Sequence, residues 1–363
     1  MDPLQLDDIR ERNNTRLLPL REQIRAGQHC DLLIPYAKAY LGLFLNLDNR
    51  LPPDERLASF VDQGLLPDIY QGFEASVDAA SFPTPEQFSS PGQPGQLERC
   101  WVLLACFRRG IDHLGDAFFD RVSSSVRQSA FCFVMTLEQG ERPDWPERYL
   151  VRYQQEAEQA LMASWKGSRA ATADVLPGMD WYFGQPVTPS TELIYWIMAN
   201  WRHLSYGNCY ALLYTACRFG EPDRLAELAD AALQEDFPVR TRMLWCGVAL
   251  VSDPRRHAQA LQGLCGFNKE KIVPLLDFCV SVLEFIPEPE RRARISAALI
   301  RIAGPKFPPF DDSDPIVAKL ALLLSVLADG PVTVKRELIE TLDKVRVLRA
   351  YRPALRKINI PEK

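Results

Sequence analysis

The chain has 363 residues, of which 47% are hydrophobic and 25% are charged, and its formal net charge is −5 at pH 7. This length and composition predict a folded globular protein of two or three domains and exclude an intrinsically disordered one. The negative charge disfavours non-specific binding to nucleic acid, which depends on basic side chains that displace counterions from phosphates.

The N-terminal segment MDPLQLDDIRERNN is acidic and polar, without the basic and then apolar order of a signal peptide. The most apolar runs, residues 100–107 and 320–327, are far shorter than the roughly 20 residues of a membrane-spanning helix. We therefore expect a cytoplasmic protein that does not bind membranes, with its nine cysteines reduced. The excess of arginine over lysine favours a GC-rich bacterial genome.

Residues 1–80 are predicted to form an N-terminal helical region of four or five short helices, separated by prolines. Residues 81–96, SFPTPEQFSSPGQPGQ, contain four prolines and two glycines, a density that neither helix nor strand tolerates. This segment is either a flexible linker or an ordered loop pinned by Phe82 and Phe88. We favour the loop, because both rings would otherwise lie in water.

A second helical region is predicted over residues 97–166, with helices at 97–109, 112–137 and 146–165. Serine side chains compete for helix carbonyl groups, so the run of serines at 123–125 is expected to bend the second helix. No segment of the chain shows the period-two alternation of a strand.

Residues 167–189 are predicted to be a long loop, which is more often functional than a neutral connector. It contains three consecutive aromatic residues, Trp181, Tyr182 and Phe183. Exposed aromatics anchor protein interfaces because they bury a large area at a small cost in rotamer entropy, so all three are candidate partner-binding residues. The alternative, which we favour, is that this loop folds back over the groove between the two halves and plugs the core.

Residues 190–346 are predicted to be an array of stacked helical hairpins, because prolines that can open helices recur at Pro189, Pro222, Pro254 and Pro289. The period is similar to that of tetratricopeptide and HEAT repeats, without the residue pattern of either family. The fold class is therefore predicted to be all-α, with an α-solenoid-like second half whose concave surface suits macromolecular partners. The expected helices are 190–202, 206–219, 222–235, 238–251, 254–264, 269–286, 289–303, 315–328 and 333–346.

The predicted helix 315–328 is the most apolar of the array. Of its thirteen residues from 316 to 328, eleven are apolar. A helix that is apolar on every side is usually buried, so we expect little of this one to contact water.

An aspartate-rich run, Asp311, Asp312 and Asp314, precedes that helix. It resembles the Mg²⁺-binding motif of helical terpenoid synthases, which would imply diphosphate chemistry. The spacing is one residue short of that motif, and no second metal motif accompanies it. We therefore interpret the run as a helix N-terminus, where carboxylates interact favourably with the helix dipole, and predict no metal and no cofactor.

No arrangement of residues in the sequence predicts catalysis. Cys209 and His203 are six residues apart, so they fall on different sides of a helix, and no third group orients the histidine. No spacing of cysteine and histidine satisfies a zinc site. The protein is therefore not predicted to be an enzyme, although an all-α enzyme with a site dispersed through the sequence remains an alternative.

Two segments have strongly biased charge. Residues 221–236 carry six acids against Arg224 alone, and Glu227, Asp230 and Glu235 are expected on an exposed face. Residues 344–357 carry six basic residues and no acid, and this region leads into the basic C-terminal tail at 347–363. The acidic face suits a basic protein partner, whereas the basic tail suits phosphate or an acidic partner.

These features favour a protein-interaction module, such as an adaptor or an antitoxin-like immunity protein. It would bind a basic partner through the acidic face and the aromatic residues beside it. A helical-repeat protein that binds nucleic acid through its basic C-terminal segment is the alternative, and the negative net charge argues against it.

Overall fold

The computed structural model describes residues 3–44, 47–88, 94–137, 142–166, 176–200, 205–265, 268–303 and 315–344. Within these ranges all regular secondary structure is helical, which confirms the all-α class. The chain divides into two compact units, Met1–Val187 and Thr188–Lys363.

The first unit is built around one long helix, α7. Its residues 102–107 are apolar on every side and almost fully buried, and the helix contacts α3, α5 and α8. The helices of this unit are α1 (Pro3–Leu17), α2 (Arg21–Arg25), α3 (Cys30–Leu41), α4 (Pro53–Phe60), α5 (Leu66–Ala79), α6 (Pro85–Phe88), α7 (Pro94–Leu114), α8 (Ser124–Thr136), α9 (Trp145–Arg152), α10 (Gln154–Trp165) and α11 (Met179–Gly184).

All three helices predicted over residues 97–166 differ from the structure, and the predicted helix 146–165 is divided at Tyr153 into α9 and α10. The helix predicted at 97–109 continues to Leu114. Gly110 within it leaves room for the ring of Phe118, which a Cβ there would meet at 2.2 Å. The predicted helix 112–137 is interrupted by a 3-10 helix at Gly115–Arg121. That tight turn lets both Phe118 and Phe119 enter the core, where their rings contact Phe107. The serine run therefore begins α8 instead of bending a longer helix.

The proline-rich segment 81–96 is described up to Phe88 and again from Pro94, where α7 begins. Pro85–Phe88 forms the short helix α6, which contacts α8 and α10. The Phe88 side chain is buried, with its ring centroid 6.3 Å from that of Phe133. The loop alternative requires such an anchor, and residues 89–93 lie outside the described residues.

The second unit follows the predicted helices to within three residues. Local signals set these bounds, because Ser205 and Asn268 cap their helices and prolines open several others. The helices are α12 (Thr191–Asn200), α13 (Tyr206–Phe219), α14 (Pro222–Leu233), α15 (Val239–Ser252), α16 (Pro254–Cys265), α17 (Lys269–Leu283), α18 (Pro289–Ala303), α19 (Pro315–Ala328) and α20 (Val332–Lys344).

Helices of the second unit contact their next-but-one neighbours. One series of such contacts joins α13 to α15, α15 to α17 and α17 to α19, and a second joins α16 to α18 and α18 to α20. Consecutive helices also pack together, as α14 does on α15 and α18 on α19. Helix α15 is buried along residues 243–252, so it lies in the middle of the core of this unit.

The prediction that α19 is buried nearly all round is wrong. Leu320, Leu323 and Leu327 are buried in the core, but the side chain of Leu322 is 48% exposed. The helix contacts α17 and α18, and Ala321 and Ser325 are exposed in addition to Leu322. Apolar composition alone therefore overestimated how much of this helix is covered.

None of the helices described has the length and apolar content needed to cross a bilayer. All nine cysteines are free thiols, and eight of them are buried. Burial raises the pKa of these thiols, for Cys30 and Cys265 to about 11.

Candidate functional site

The predicted aromatic anchors belong to a short helix, α11, and not to an irregular loop. The side chain of Tyr182 is only 1% exposed, and its hydroxyl donates a hydrogen bond to the buried carboxylate of Glu158. Burial raises the pKa of Tyr182, so the phenol stays protonated and remains a donor. Tyr182 therefore has no exposed surface to offer a partner, which corrects the interpretation of this residue as a binding contact.

The two neighbours of Tyr182 are half-buried in the first unit. The indole of Trp181 meets the ring of Phe131 edge-on, with centroids 5.9 Å apart. Phe183 packs edge-on against Tyr182 at 5.1 Å. These contacts support a packing role within the first unit for the three aromatics.

The predicted acidic face is on α14 in the second unit, and its acids have different environments. Glu227 is exposed and makes no ion pair with any described residue, whereas Glu235 is half-buried. Asp230 Oδ2 lies 2.6 Å from Arg256 Nη2, and Asp230 Oδ1 lies 3.6 Å from His257 Nε2. Asp230 is thus paired with side chains of α16. Of the three acids predicted to contact a partner, Glu227 is the exposed one.

His257 is a buried imidazole whose charge depends on this carboxylate. Burial lowers the pKa of His257, and Asp230 and Asp253 oppose that shift, while Arg256 adds to it. Nε2 of the imidazole is buried without a hydrogen-bond partner among the described residues. Protonation of His257 is therefore disfavoured in the folded chain.

A row of tyrosines on α13 is a feature that the sequence reasoning missed. Tyr206, Tyr210 and Tyr214 are four residues apart, so they lie along one face of the helix, and each is half-buried. The rings of Tyr210 and Tyr214 are nearly parallel, at 11°, with centroids 6.4 Å apart. Arg218 continues the same spacing at the end of the row.

Side chains of α17 and of Phe285, just after it, hold Tyr210 and Tyr214 in place. The Tyr210 hydroxyl is hydrogen-bonded to Ser281 Oγ at 2.8 Å, and its ring meets that of Phe278 edge-on at 5.5 Å. Tyr214 packs edge-on against Phe285 at 5.3 Å. The guanidinium of Arg218 lies 4.6 Å from the Phe285 ring centroid, a cation–π distance. The rings of Tyr210 and Tyr214 thus have fixed positions and keep part of their surface in water.

The signal for this row was present in the sequence as tyrosines at i, i+4 and i+8, followed by arginine at i+12. An aromatic residue repeated every four positions normally indicates a core face. Only the packing against α17 shows that the row lies at the surface edge of the core, with part of each ring exposed.

The other chemical candidates are not assembled into a site in the described part of the chain. No group of three metal-ligating side chains is found there. Cys209 is fully buried, which raises the pKa of its thiol to about 12 and makes it a poor nucleophile. Asp311, Asp312, Asp314, His203 and the basic tail beyond residue 344 lie outside the described residues.

Comparison of the chain with family models, with curated proteins and with solved structures finds no match. The side chains and their geometry are therefore the features of this protein that indicate a function.

Proposed function

We propose that this protein is a protein-interaction module that binds its partner mainly through the tyrosine row of α13. The observation that carries the proposal is that three half-buried tyrosines share one helix face. Two of them, Tyr210 and Tyr214, are held by Ser281 and Phe278 of α17 and by Phe285 just after it. Tyrosine and arginine are enriched among the residues that dominate binding energy at protein interfaces. The same composition is present in Tyr206, Tyr210, Tyr214 and Arg218.

Fixing the rings in advance favours binding. When binding immobilises a flexible side chain, the binding free energy becomes less favourable by roughly 0.5–1.5 kcal/mol for each such side chain. The rings of Tyr210 and Tyr214 are already positioned by Ser281, Phe278 and Phe285, so this cost is reduced. Each phenol also combines an apolar ring with a polar hydroxyl, which suits a surface that is wet before binding and dry afterwards.

The partner we propose carries basic side chains. Glu221, Asp223 and Glu227 are exposed on or beside α14, and they make no ion pair with any described residue. Acids of this kind attract a basic partner and speed association, while aromatic contacts slow its release. Helices α13 and α14 are consecutive and contact each other, so both features belong to one hairpin.

An α-solenoid-like array is the architecture we propose for the second unit. The two series of next-but-one helix contacts support it, because stacked hairpins place alternate helices in separate layers. Such arrays present extended surfaces formed by successive helices, which suits an adaptor or an immunity-like protein that holds another protein.

The test is capture of partners by the tagged full-length chain, compared between variants. Tyr210→Ala should lose the captured protein, with dissociation accelerated at least tenfold, which corresponds to about 1.4 kcal/mol. Tyr70→Ala removes a half-buried tyrosine of the first unit and is the matched control. Circular dichroism verifies that both variants are folded. Equal retention of the partner by the Tyr210→Ala and Tyr70→Ala proteins would exclude the tyrosine row as the binding surface.

A further inference from the structure

We infer that the first unit contains a binding site for a small organic anion, a carboxylate or phosphate carried on a flat apolar group. The site is a cavity of about 210 Å³ between α3, α4, α7 and the start of α9. Its lining combines three guanidinium groups with three large aromatic rings, contributed by Arg56, Arg108, Arg142, Tyr40, Trp101 and Trp145. This inference is independent of the protein-binding function proposed for the second unit.

Among the described residues, the lining of the cavity carries only positive charge. None of the described residues that line it is a carboxylate. Arg108 is already paired with a carboxylate, because its Nε donates a hydrogen bond to Asp112 Oδ2 at 2.9 Å. Arg56 donates only to backbone carbonyls, from Nη2 to Tyr40 O at 2.9 Å and from Nη1 to Asn49 O at 3.3 Å.

Arg56 is the group whose environment most favours a bound anion. Its Nε is buried and has no acceptor within the described chain. Partial burial and the nearby Arg108 both lower the pKa of Arg56, so its charged form is held in an unfavourable place. An anion beside Arg56 would supply the counter-charge that this residue lacks within the described chain and would accept charge-assisted hydrogen bonds.

The guanidiniums are positioned by features of the backbone. Gly42 has φ of +80°, and a Cβ at this residue would lie 2.3 Å from Arg56 Nη1. The absence of a side chain there allows the close approach of the arginine. On the other side of the cavity, Arg142 donates to Leu137 O at 3.1 Å and to Met135 O at 3.3 Å. Backbone carbonyls therefore position Arg56 and contribute to positioning Arg142, whereas Arg108 is held by Asp112.

The aromatic lining predicts the rest of the ligand. Trp145 and Tyr40 are buried and Trp101 is half-buried, so large aromatic side chains contribute apolar surface to the wall of the cavity. Pockets for drug-sized ligands measure roughly 300–1,000 Å³. A cavity of about 210 Å³ suits a single ring with one anionic group and is too small for a nucleotide.

The experiment titrates the full-length protein with phenyl phosphate, benzoate, inorganic phosphate and the neutral analogue benzyl alcohol, by calorimetry and thermal shift. We expect at least one aromatic anion to raise Tm and to bind with Kd of about 1 mM or tighter, while benzyl alcohol has no effect. A preference for phenyl phosphate identifies phosphate as the anionic group, and a preference for benzoate identifies carboxylate. Inorganic phosphate should bind more weakly than phenyl phosphate, because it makes no ring contact.

Three variants separate this site from general attraction to positive charge. Arg56→Gln and Arg108→Gln should each weaken binding of the aromatic anion at least tenfold. Arg50→Gln is the matched control, because Arg50 lies between α3 and α4, is exposed and is paired with Asp48. Arg108 is exposed, so its variant remains informative even where Arg56→Gln fails to fold. The inference is overturned if no anion binds at about 10 mM, if benzyl alcohol binds equally well, or if Arg50→Gln weakens binding as much as Arg108→Gln.

Discussion

Glu227 and Asp230 lie one turn apart on α14, and their side chains have different environments in the folded chain. Glu227 is exposed and pairs with no described residue, whereas Asp230 contacts Arg256 and His257. Residue type and spacing made both acids candidate partner contacts. Their separate roles follow from α16, which brings two basic side chains to one of them.

Charge reversal at the two positions is expected to have opposite consequences for stability and binding. Asp230→Lys should lower the free energy of unfolding by about 1 kcal/mol or more, because it replaces an ion pair with a repulsion beside Arg256. Glu227→Lys should change stability by less than about 0.5 kcal/mol but slow association with a basic partner. Urea denaturation measures the first effect, and stopped-flow binding at two salt concentrations measures the second. Equal loss of stability in the two variants would contradict the distinction.

His257 is expected to make stability fall as the pH is lowered from about 7. Its folded pKa is below the ordinary value of 6.5, so the unfolded chain takes up a proton first as the pH falls through that value. The stability that comes from keeping His257 neutral is present above the unfolded pKa and is lost on acidification. His257→Gln should reduce this loss between pH 7.5 and 5.5. The prediction fails if wild type and variant lose the same free energy of unfolding over this interval.

Asp68 is a buried carboxylate held by two arginines. Its side chain is 3% exposed and lies 2.6 Å from Arg21 Nε and 2.5 Å from Arg25 Nε. Asp68→Asn should lower the free energy of unfolding by about 3 kcal/mol, because a buried pair loses one partner.

Asp31 supplies the control for Asp68, since its carboxylate also pairs with an arginine, Arg99, at 2.6 Å, but its side chain is 61% exposed. Asp31→Asn should cost less than about 1 kcal/mol. Chemical denaturation of both variants makes the comparison, and a larger loss for Asp31→Asn would show that burial does not determine the effect.

At the scale of the helices, local signals predicted where elements begin more reliably than what they contact. In the second unit, prolines and the caps Ser205 and Asn268 lie where the helices open. Helix α11 had no such signal, because a six-residue helix inside a proline- and glycine-containing segment carries no detectable period. Its aromatics could be assigned to the interior only from their contacts with Phe131 and Glu158.

Trp181→Ala is expected to destabilise the first unit, because the indole packs against Phe131. For a half-buried tryptophan the substitution should lower the free energy of unfolding by about 2 kcal/mol, less than the roughly 3–5 kcal/mol for a fully buried one. Val151→Ala is the control, since Val151 is exposed on α9 in the same unit and should change little. Thermal denaturation compares the two variants. Unchanged Tm for Trp181→Ala would restore this residue as a candidate surface contact.

At the scale of the whole molecule, each unit has a core that contains cysteines without disulfides. Thiols in these positions pack as small apolar side chains. They are buried in both units, and burial raises their pKa values, for Cys106 and Cys246 to about 12. Thiolate, the reactive form, is therefore scarce in the folded chain at neutral pH.

All nine thiols are expected to react with a chromogenic reagent in denaturant and to react far more slowly in the native protein. The protein is purified without reductant so that any disulfide survives until the assay. A native chain in which several thiols react as fast as free cysteine would contradict their burial. Fewer than nine thiols in denaturant would show that disulfides form.

The amino-acid sequence by itself determined the helical class and most helix bounds, because helical periodicity, first-turn prolines and caps act over a few residues. It also identified the charge bias of 221–236. Tertiary structure alone decided which side chains are available. It buried Tyr182, paired Asp230 with α16, exposed Leu322 and aligned the tyrosine row with α17.

The cavity lined by Arg56, Arg108 and Arg142 also could not be predicted from the sequence. Arg56 is on α4, Arg108 is on α7 and Arg142 precedes α9, and no local pattern in the sequence connects them. Their proximity results from the packing of α3, α4 and α7 around one core, and contacts between residues far apart in the chain depend on every intervening turn. Local interactions set the helices, whereas the long-range apolar packing that assembles them also sets the surfaces available for binding.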